Sequence, residues 1–299
     1  MTSHESRPGS QLFALIDGAA SPGRIHVLLE ESGAEFKSVF EGLPEEALGP
    51  ASVFLARVDD RDASWFDELD HIDLYSPCLS LVWSSYDIDD VSTHLRAFLF
   101  ADIGDGMRGL VRYFDPRNTS AILSVWGEQI AGMFIAPFDR WRYRGHHESW
   151  CTIDNEAEEP GRICKSVMIE FHQADLDALG AHTEADELLA SLIQIGVMPD
   201  DALYHTRYTD FLARYTRANE WGIADAVDRL NFCRHTCIYG LEFDDEPAVR
   251  AALQERRETG EAYLAVIGRL PSSVWDELKR AQATRERMAA QAESTCVAG

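Results

Sequence analysis

Positive charge is what this sequence has least of. It sets 27 Lys+Arg against 51 Asp+Glu, so the formal net charge of its 299 residues is −24 at pH 7. A nucleic-acid binder neutralises phosphates with lysine and arginine, and that function class is disfavoured here. The acidity is evenly divided, with 12 basic against 24 acidic residues in 1–150 and 15 against 27 in 151–299. This is a generally acidic surface rather than an acidic tail, and it suits solubility or a basic partner.

Cysteine is also scarce. Six in the whole chain do not make a disulfide scaffold. Cys233 and Cys237, with His235 between them, share one helix face, and no second ligand pair of matching spacing follows. They read as buried thiols rather than a metal site. His146, His147 and Cys151 form a similar weak cluster in a loop. Long apolar runs are missing. The longest, near "IAGMFIAPF", is far short of a membrane span, and the N-terminal "MTSHESRPGS" lacks the apolar segment of a secretory signal. The expectation is a soluble cytoplasmic protein with no membrane insertion.

Catalytic motifs are absent as well. There is no G-x-S-x-G elbow, no glycine-rich phosphate loop and no H-E-x-x-H. "GDGMRG" at 104–109 lies between a helix and a strand, the wrong context for a phosphate cradle. His94, Asp115 and a serine would have to meet in space to do hydrolytic chemistry. The chain is expected not to be an enzyme, and to hold no cofactor and no metal.

What is present is enough apolar material for a sizeable core. Hydrophobic residues are 45% and aromatics 10%. At the usual ~100–200 residues per domain the length suggests two domains. Residues 11–144 alternate strand-like and helix-like pieces. "QLFALID" stops at the turn signal Asp17-Gly18. "SPGRIHVLLEESG" is a helix with Ser21 and Pro22 at its start and Gly33 at its end. "ASVFLARV" and "CLSLVWSS" are further buried strands, and "DIDDVSTHLRAFLFADI" is a helix with Val91, Leu95, Phe98 and Leu99 on one face. The fold class is an α/β N-terminal lobe, a sheet with packed helices, over residues 10–145. Residues 146–165 break the pattern as a linker or excursion. Residues 166–290 read as an all-α C-terminal lobe, including a stripe of Tyr204, Tyr208, Phe211, Leu212 and Tyr215 that suits a core.

The stretch "GLVRYFDPRNTSAIL", 109–123, is the densest in functional residue types. "LVRYFD" reads as a fourth strand, with Val111 and Tyr113 on one face and Arg112 and Phe114 on the other. Asp115 is placed to cap a following helix that Pro116 opens. A strand's carboxyl end is also where ligands bind in open α/β sheets. The structural reading, with Arg112 paired to a carboxylate, needs fewer assumptions than the ligand-site reading.

The ordered set "LFALIDGA", "GPASVFLARV", "CLSLVWSS" with "VSTHLRAFL", and "VRYFDPRNTSAIL" resembles the type VI secretion effector chaperones, or effector adaptors (the Tap or Tec group), over roughly residues 11–143. The Arg-aromatic-aromatic-Asp-Pro-Arg string, Arg112 to Arg117, is its most specific member. Asp17, Gly18, Arg112, Tyr113, Asp115, Pro116 and Arg117 are the motif positions. Ala51 and Ser52 depart from the family, in which an aromatic commonly follows Gly-Pro. "MFIAPF" likewise replaces a Phe-Gly-Pro-like sequence. The resemblance implies a cytoplasmic protein that binds a cognate toxic effector and promotes its loading onto the VgrG spike, without turnover. An immunity-like toxin inhibitor, or an uncharacterised hydrolase, is the alternative.

Two stretches are candidate partner surfaces. "RWRYR", 140–144, reads either as an edge strand with solvated arginines and an inward tryptophan, or as an interface built on Arg140, Trp141 and Arg142. "GLEFDDEP", 240–247, offers Glu242, Asp244 and Asp245 to a basic cargo segment, or is a solvated loop.

Overall fold

The strand β1 (Gln11–Asp17) is apolar on consecutive residues because both its faces are covered. Phe13 and Leu15 enter one core, and Leu12, Ala14 and Ile16 enter another on the opposite face. β1 is therefore central, paired antiparallel with β3 (Val53–Arg57) on one side and β4 (Leu79–Ser84) on the other. The sheet is completed by β2 (Phe36–Ser38), β7 (Phe138–Tyr143) and β8 (Cys151–Asp154), in the order β2-β3-β1-β4-β7-β8. A short hairpin of β5 (Phe100–Asp102) and β6 (Arg108–Leu110) stands apart from it. The computed structural model describes residues 9–297, so most of the polar N-terminal segment lies outside the described residues.

Helices cover both faces. α1 (Pro22–Ser32) and α2 (Ser64–Tyr75) bury Ile25, Leu28, Leu29, Phe66 and Leu69 against the Leu12 face. α3 (Ile88–Ala97) and α4 (Thr119–Ile135) pack on the Phe13 face, where Phe98, Tyr113, Trp126, Phe134, Phe138 and Trp141 form a continuous aromatic cluster. Gly33 closes α1 in the left-handed conformation at φ 69°. The side chain of Asp87 caps α3 by accepting from Asp90 N.

Every pairing in the six-stranded sheet is antiparallel. The rule that places ligands at the carboxyl ends of parallel strands has no purchase here. The segment expected to be a linker or excursion, 146–165, carries β8, which pairs with β7 from Cys151 opposite Tyr143 to Asp154 opposite Arg140.

The chain divides into two compact units, one running to Thr183 and taking in Leu203–His205, the other comprising Glu184–Ala202 and the chain from Thr206 on. The division falls inside α5 (Gln173–Gln194), later than the change of periodicity at 166. The reason is the stretch before it. Ile169 and Phe171 are buried in the core of the first unit, and their backbones bond Asp102 through Asp102 N to Ile169 O and Phe171 N to Asp102 O. The second unit is built from the remainder of α5 with α6 (Tyr204–Glu220) from Thr206 on, α7 (Ala226–Tyr239), α8 (Pro247–Thr259), α9 (Tyr263–Ile267) and α10 (Ser272–Val297). Its core includes Phe211, Phe232, Phe243 and Tyr263. Leu212, from the aromatic stripe, faces solvent instead.

Candidate functional site

At the end of β1 the buried Asp17 turns the chain. Its carboxylate accepts from Ala19 N at 3.1 Å and caps a single 3-10 turn over Gly18–Ala20. Gly18 donates its N–H to Ser52 O, and its backbone runs so close that a Cβ would stand 2.4 Å from that oxygen. Only glycine fits there, so Asp17-Gly18 works as a unit. The acceptor is the backbone carbonyl of Ser52.

The other half of the site is the loop between β6 and α4. Residues 111–118 do not continue a strand. The chain turns at Asp115, whose N–H bonds Arg112 O, and again at Asn118, whose N–H bonds Asp115 O. α4 then begins at Thr119 with Asn118 at its cap position and no side-chain cap bond. The expected fourth strand and the capping role of Asp115 are both corrected by this geometry. The physical cause lies in two side chains. Tyr113 is drawn into the core and donates its hydroxyl to Leu95 O at 2.6 Å, which pulls the backbone inward. The Asp115 carboxylate is taken by Arg117, which forks onto it through Nε (2.9 Å) and Nη2 (2.7 Å), while Arg117 N also donates to Oδ1. Pro116 sits within this turn, and its carbonyl approaches Gly145.

Arg112 joins the halves. Its Nη2 lies 3.0 Å from Asp17 Oδ2 and 3.4 Å from Asp115 Oδ2. Two nearly fully buried carboxylates thus share one guanidinium that is itself half exposed. Burial pushes the Asp17 carboxyl up, more than Arg112 pulls it down. The structure brings Asp17, Gly18, Arg112, Asp115, Pro116 and Arg117 to one end of the sheet, and places Tyr113 in the core beneath them.

A third buried carboxylate lies close by, and sequence reasoning missed it. Asp73, at the end of α2, accepts from Cys78 N and Leu79 N, each at 2.8 Å, and so holds the start of β4. Arg144 pairs with it at 2.7 Å and with Asp70 at 2.8 Å, and stacks on Trp150. Burial raises the Asp73 carboxyl. Between the two networks the Cys78 thiol is fully buried, and burial drives its pKa well up, away from the nucleophilic thiolate.

Beside Arg112 opens a cleft of about 270 Å³ whose walls include Ile103, Leu110, Val111, Ile122, Phe171 and Leu176. Leu110 and the nearby Met107 are themselves exposed. The cleft can accept an apolar side chain, with the Arg112 guanidinium at its rim to meet a negative group.

The remaining sequence candidates fall elsewhere. His94 is fully buried. One ring nitrogen bonds Phe134 O at 2.9 Å, and the other accepts from Cys164 N at 3.0 Å. Burial lowers its pKa to about 4, so it is neutral at pH 7. Both nitrogens are occupied by backbone. Trp141 is completely buried, so it cannot touch a partner, and the interface reading of "RWRYR" keeps only Arg140 and Arg142. That string is not an edge strand either, because β7 lies between β4 and β8.

In the second unit, "GLEFDDEP" is neither a free acidic patch nor a solvated loop. Phe243 and Asp244 are buried. Asp244 accepts from Arg217 Nε at 2.7 Å and Trp221 Nε1 at 2.5 Å. Asp245 pairs with Arg217 and Arg250, and Glu246 caps α8. Of the three acidic candidates only Glu242 is exposed with no side-chain bond to another of the described residues. Cys233 is a buried thiol in α7, its pKa pushed up to about 12 by burial.

Residues 12–131 match a family model described as a domain of unknown function (DUF4123), a domain known in type VI secretion effector adaptor proteins. The matched span takes in β1 from Leu12, the Asp17-Gly18 turn and the whole Arg112–Arg117 loop. No curated protein and no solved structure matches the chain. Among the described residues no helix is long and apolar enough to cross a membrane.

Proposed function

We propose that this chain is a type VI secretion effector adaptor that binds a cognate toxic effector in the cytoplasm and promotes its loading onto the VgrG spike. The observation that carries this reading is the match of residues 12–131 to a domain known in such adaptors. The site adds physical support. The Arg112–Arg117 signature is spent on tying the end of β1 to the loop before α4, and leaves an apolar cleft with one half-exposed guanidinium at its rim. That is equipment for holding a polypeptide segment. Three residues that could do chemistry are committed to the fold: His94 to two backbone groups, and the Cys78 and Cys233 thiols to the interior. The reading includes no turnover of a small molecule.

The test is affinity capture of the full chain from its native host, together with secretion assays in a strain lacking it. An adaptor brings down an effector and VgrG, and its loss abolishes secretion of that effector. Capture of a toxin domain whose activity is blocked would favour the inhibitor reading instead.

A further inference from the structure

The sheet face covered by α1 and α2 over β3, β1 and β4 is finished differently over β7 and β8. Directly opposed residues of neighbouring strands share a face. Arg140 lies opposite Trp83, Arg142 opposite Leu81, and Thr152 and Asp154 follow on β8. Arg61, just before α2, reaches the same place. Its guanidinium carbon is 5.2 Å from the Trp83 ring centre, and that of Arg140 is 5.9 Å from it. Arg142 and Arg144 stand 5.3 Å and 4.1 Å from the Trp150 ring. Four guanidiniums gather on two indoles in a chain of net charge −24.

Their counter-charges are unevenly shared. Asp154 answers Arg140 at 2.6 Å, and Asp70 and Asp73 answer Arg144. Among the described residues Arg61 and Arg142 have no carboxylate within ion-pair distance, and the buried Arg142 Nε has no acceptor. Burial, and then Arg140, Arg61 and Arg144, hold Arg142 below the usual arginine range, with Asp154 opposing. Gathering like charges costs free energy that a bound anion returns. Tryptophan and arginine are also among the residue types enriched at protein hot spots, and the two attract each other through the ring face.

We propose that Arg61 and Arg142, backed by Trp83 and Trp150, form a docking site for an acidic extended segment of a partner protein. Carboxylate side chains of that segment meet the two unpaired guanidiniums, and its backbone runs beside β8, the last strand of the sheet. A nucleic acid is the wrong occupant. The acidic surface repels a phosphate polymer at long range, Asp60 and Asp62 adjoin Arg61 in the chain and Asp154 pairs with Arg140, which suits a short peptide with few charges. The site goes beyond the adaptor reading and does not depend on it, since an acidic segment from any protein has this chemistry.

The experiment uses the full chain and three labelled probes at low ionic strength: a peptide of alternating Glu and Thr, one of alternating Lys and Thr, and single-stranded oligothymidine. Fluorescence anisotropy reads binding. The Glu-Thr peptide is expected to bind best and to weaken with added salt. The Arg61→Gln/Arg142→Gln variant is expected to bind it about tenfold less well, the worth of a charge-assisted hydrogen bond. Arg108→Gln, an exposed arginine on β6, is expected to leave it unchanged. Arg61→Gln alone, outside the sheet, gives the same reading with a weaker loss if the double variant does not fold. Equal binding of the Glu-Thr peptide by these variants and by the parent chain would overturn the proposal, as would tighter binding of oligothymidine or no peptide binding at all.

Discussion

Arg112 and Asp17 stand 95 positions apart in the chain and meet at 3.0 Å, the arginine half exposed and the aspartate nearly sealed. The pair fastens the end of the central strand to the loop before α4. Asp115 leans on the same guanidinium and is forked by Arg117. Replacing Arg112 with Met leaves Asp17 buried with Ala19 N as its remaining donor among the described residues, so stability is expected to fall by about 1–3 kcal/mol. Asp115→Ala is expected to cost a similar amount by freeing both arginines. Chemical denaturation of the two variants checks this, and the double variant should lose less than the sum because the residues share one network.

Gly18 and Gly132 make a controlled contrast. A Cβ on Gly18 would collide with Ser52 O, Pro50 O and the Phe54 ring, while one on Gly132 in α4 meets nothing within 4 Å. Gly18→Ala is expected to lower the melting temperature sharply. Gly132→Ala is expected to hold or raise it, since alanine in a helix gains about 0.5–1 kcal/mol over glycine. Thermal melts of both variants decide the point.

Acid is expected to weaken the fold before the ordinary carboxylates titrate. His94 and His235 have folded-state pKa values lowered to about 4 by burial, against 6.5 for a free imidazole. Between these values the unfolded chain binds more protons, so stability is full above pH 6.5 and is lost as pH falls toward 4. Asp17 and Asp73 act with the opposite sign, because raised carboxyls favour the folded state as they protonate. Urea midpoints between pH 7.5 and 5 should therefore fall, and His94→Gln should flatten that slope even though it starts from lower stability.

Much of the first unit was legible in the sequence. β1 and β4 show as apolar runs because both faces are buried, and α1 and α3 show through Pro22, Gly33 and Asp87 at their ends. The 111–118 loop was misread for a physical reason. Alternation of Val111, Arg112, Tyr113 and Phe114 mimics a strand, yet Val111, Tyr113 and Phe114 are all buried by successive turns rather than by a pleat. β8 is four residues with only its alternate members half covered, too weak a pattern to stand out. The motif residues were legible as a set, but the Arg112–Asp17 contact was not, and Asp73–Arg144, 71 positions apart, left no local signal. In the second unit the acidic string was read as surface because its partners, Arg217, Trp221 and Arg250, come from other helices.

That acidic string separates cleanly by substitution. Asp244→Ala removes the acceptor of both Arg217 and Trp221 in a buried setting, and is expected to destabilise by about 1–3 kcal/mol. Glu242→Ala, at an exposed position, is expected to stay within about 0.5 kcal/mol of the parent. Differential scanning calorimetry distinguishes the two outcomes.

The adaptor reading is tested most directly by secretion in the native host. In a strain lacking this protein, the effector that co-purifies with it should remain in the cell while the secretion machine still fires. Restoring the parent chain should restore export, and restoring a chain whose cleft is blocked by Leu110→Glu should not. Unchanged export of every type VI effector in the deletion strain, with neither effector nor VgrG captured on the protein, would contradict the account.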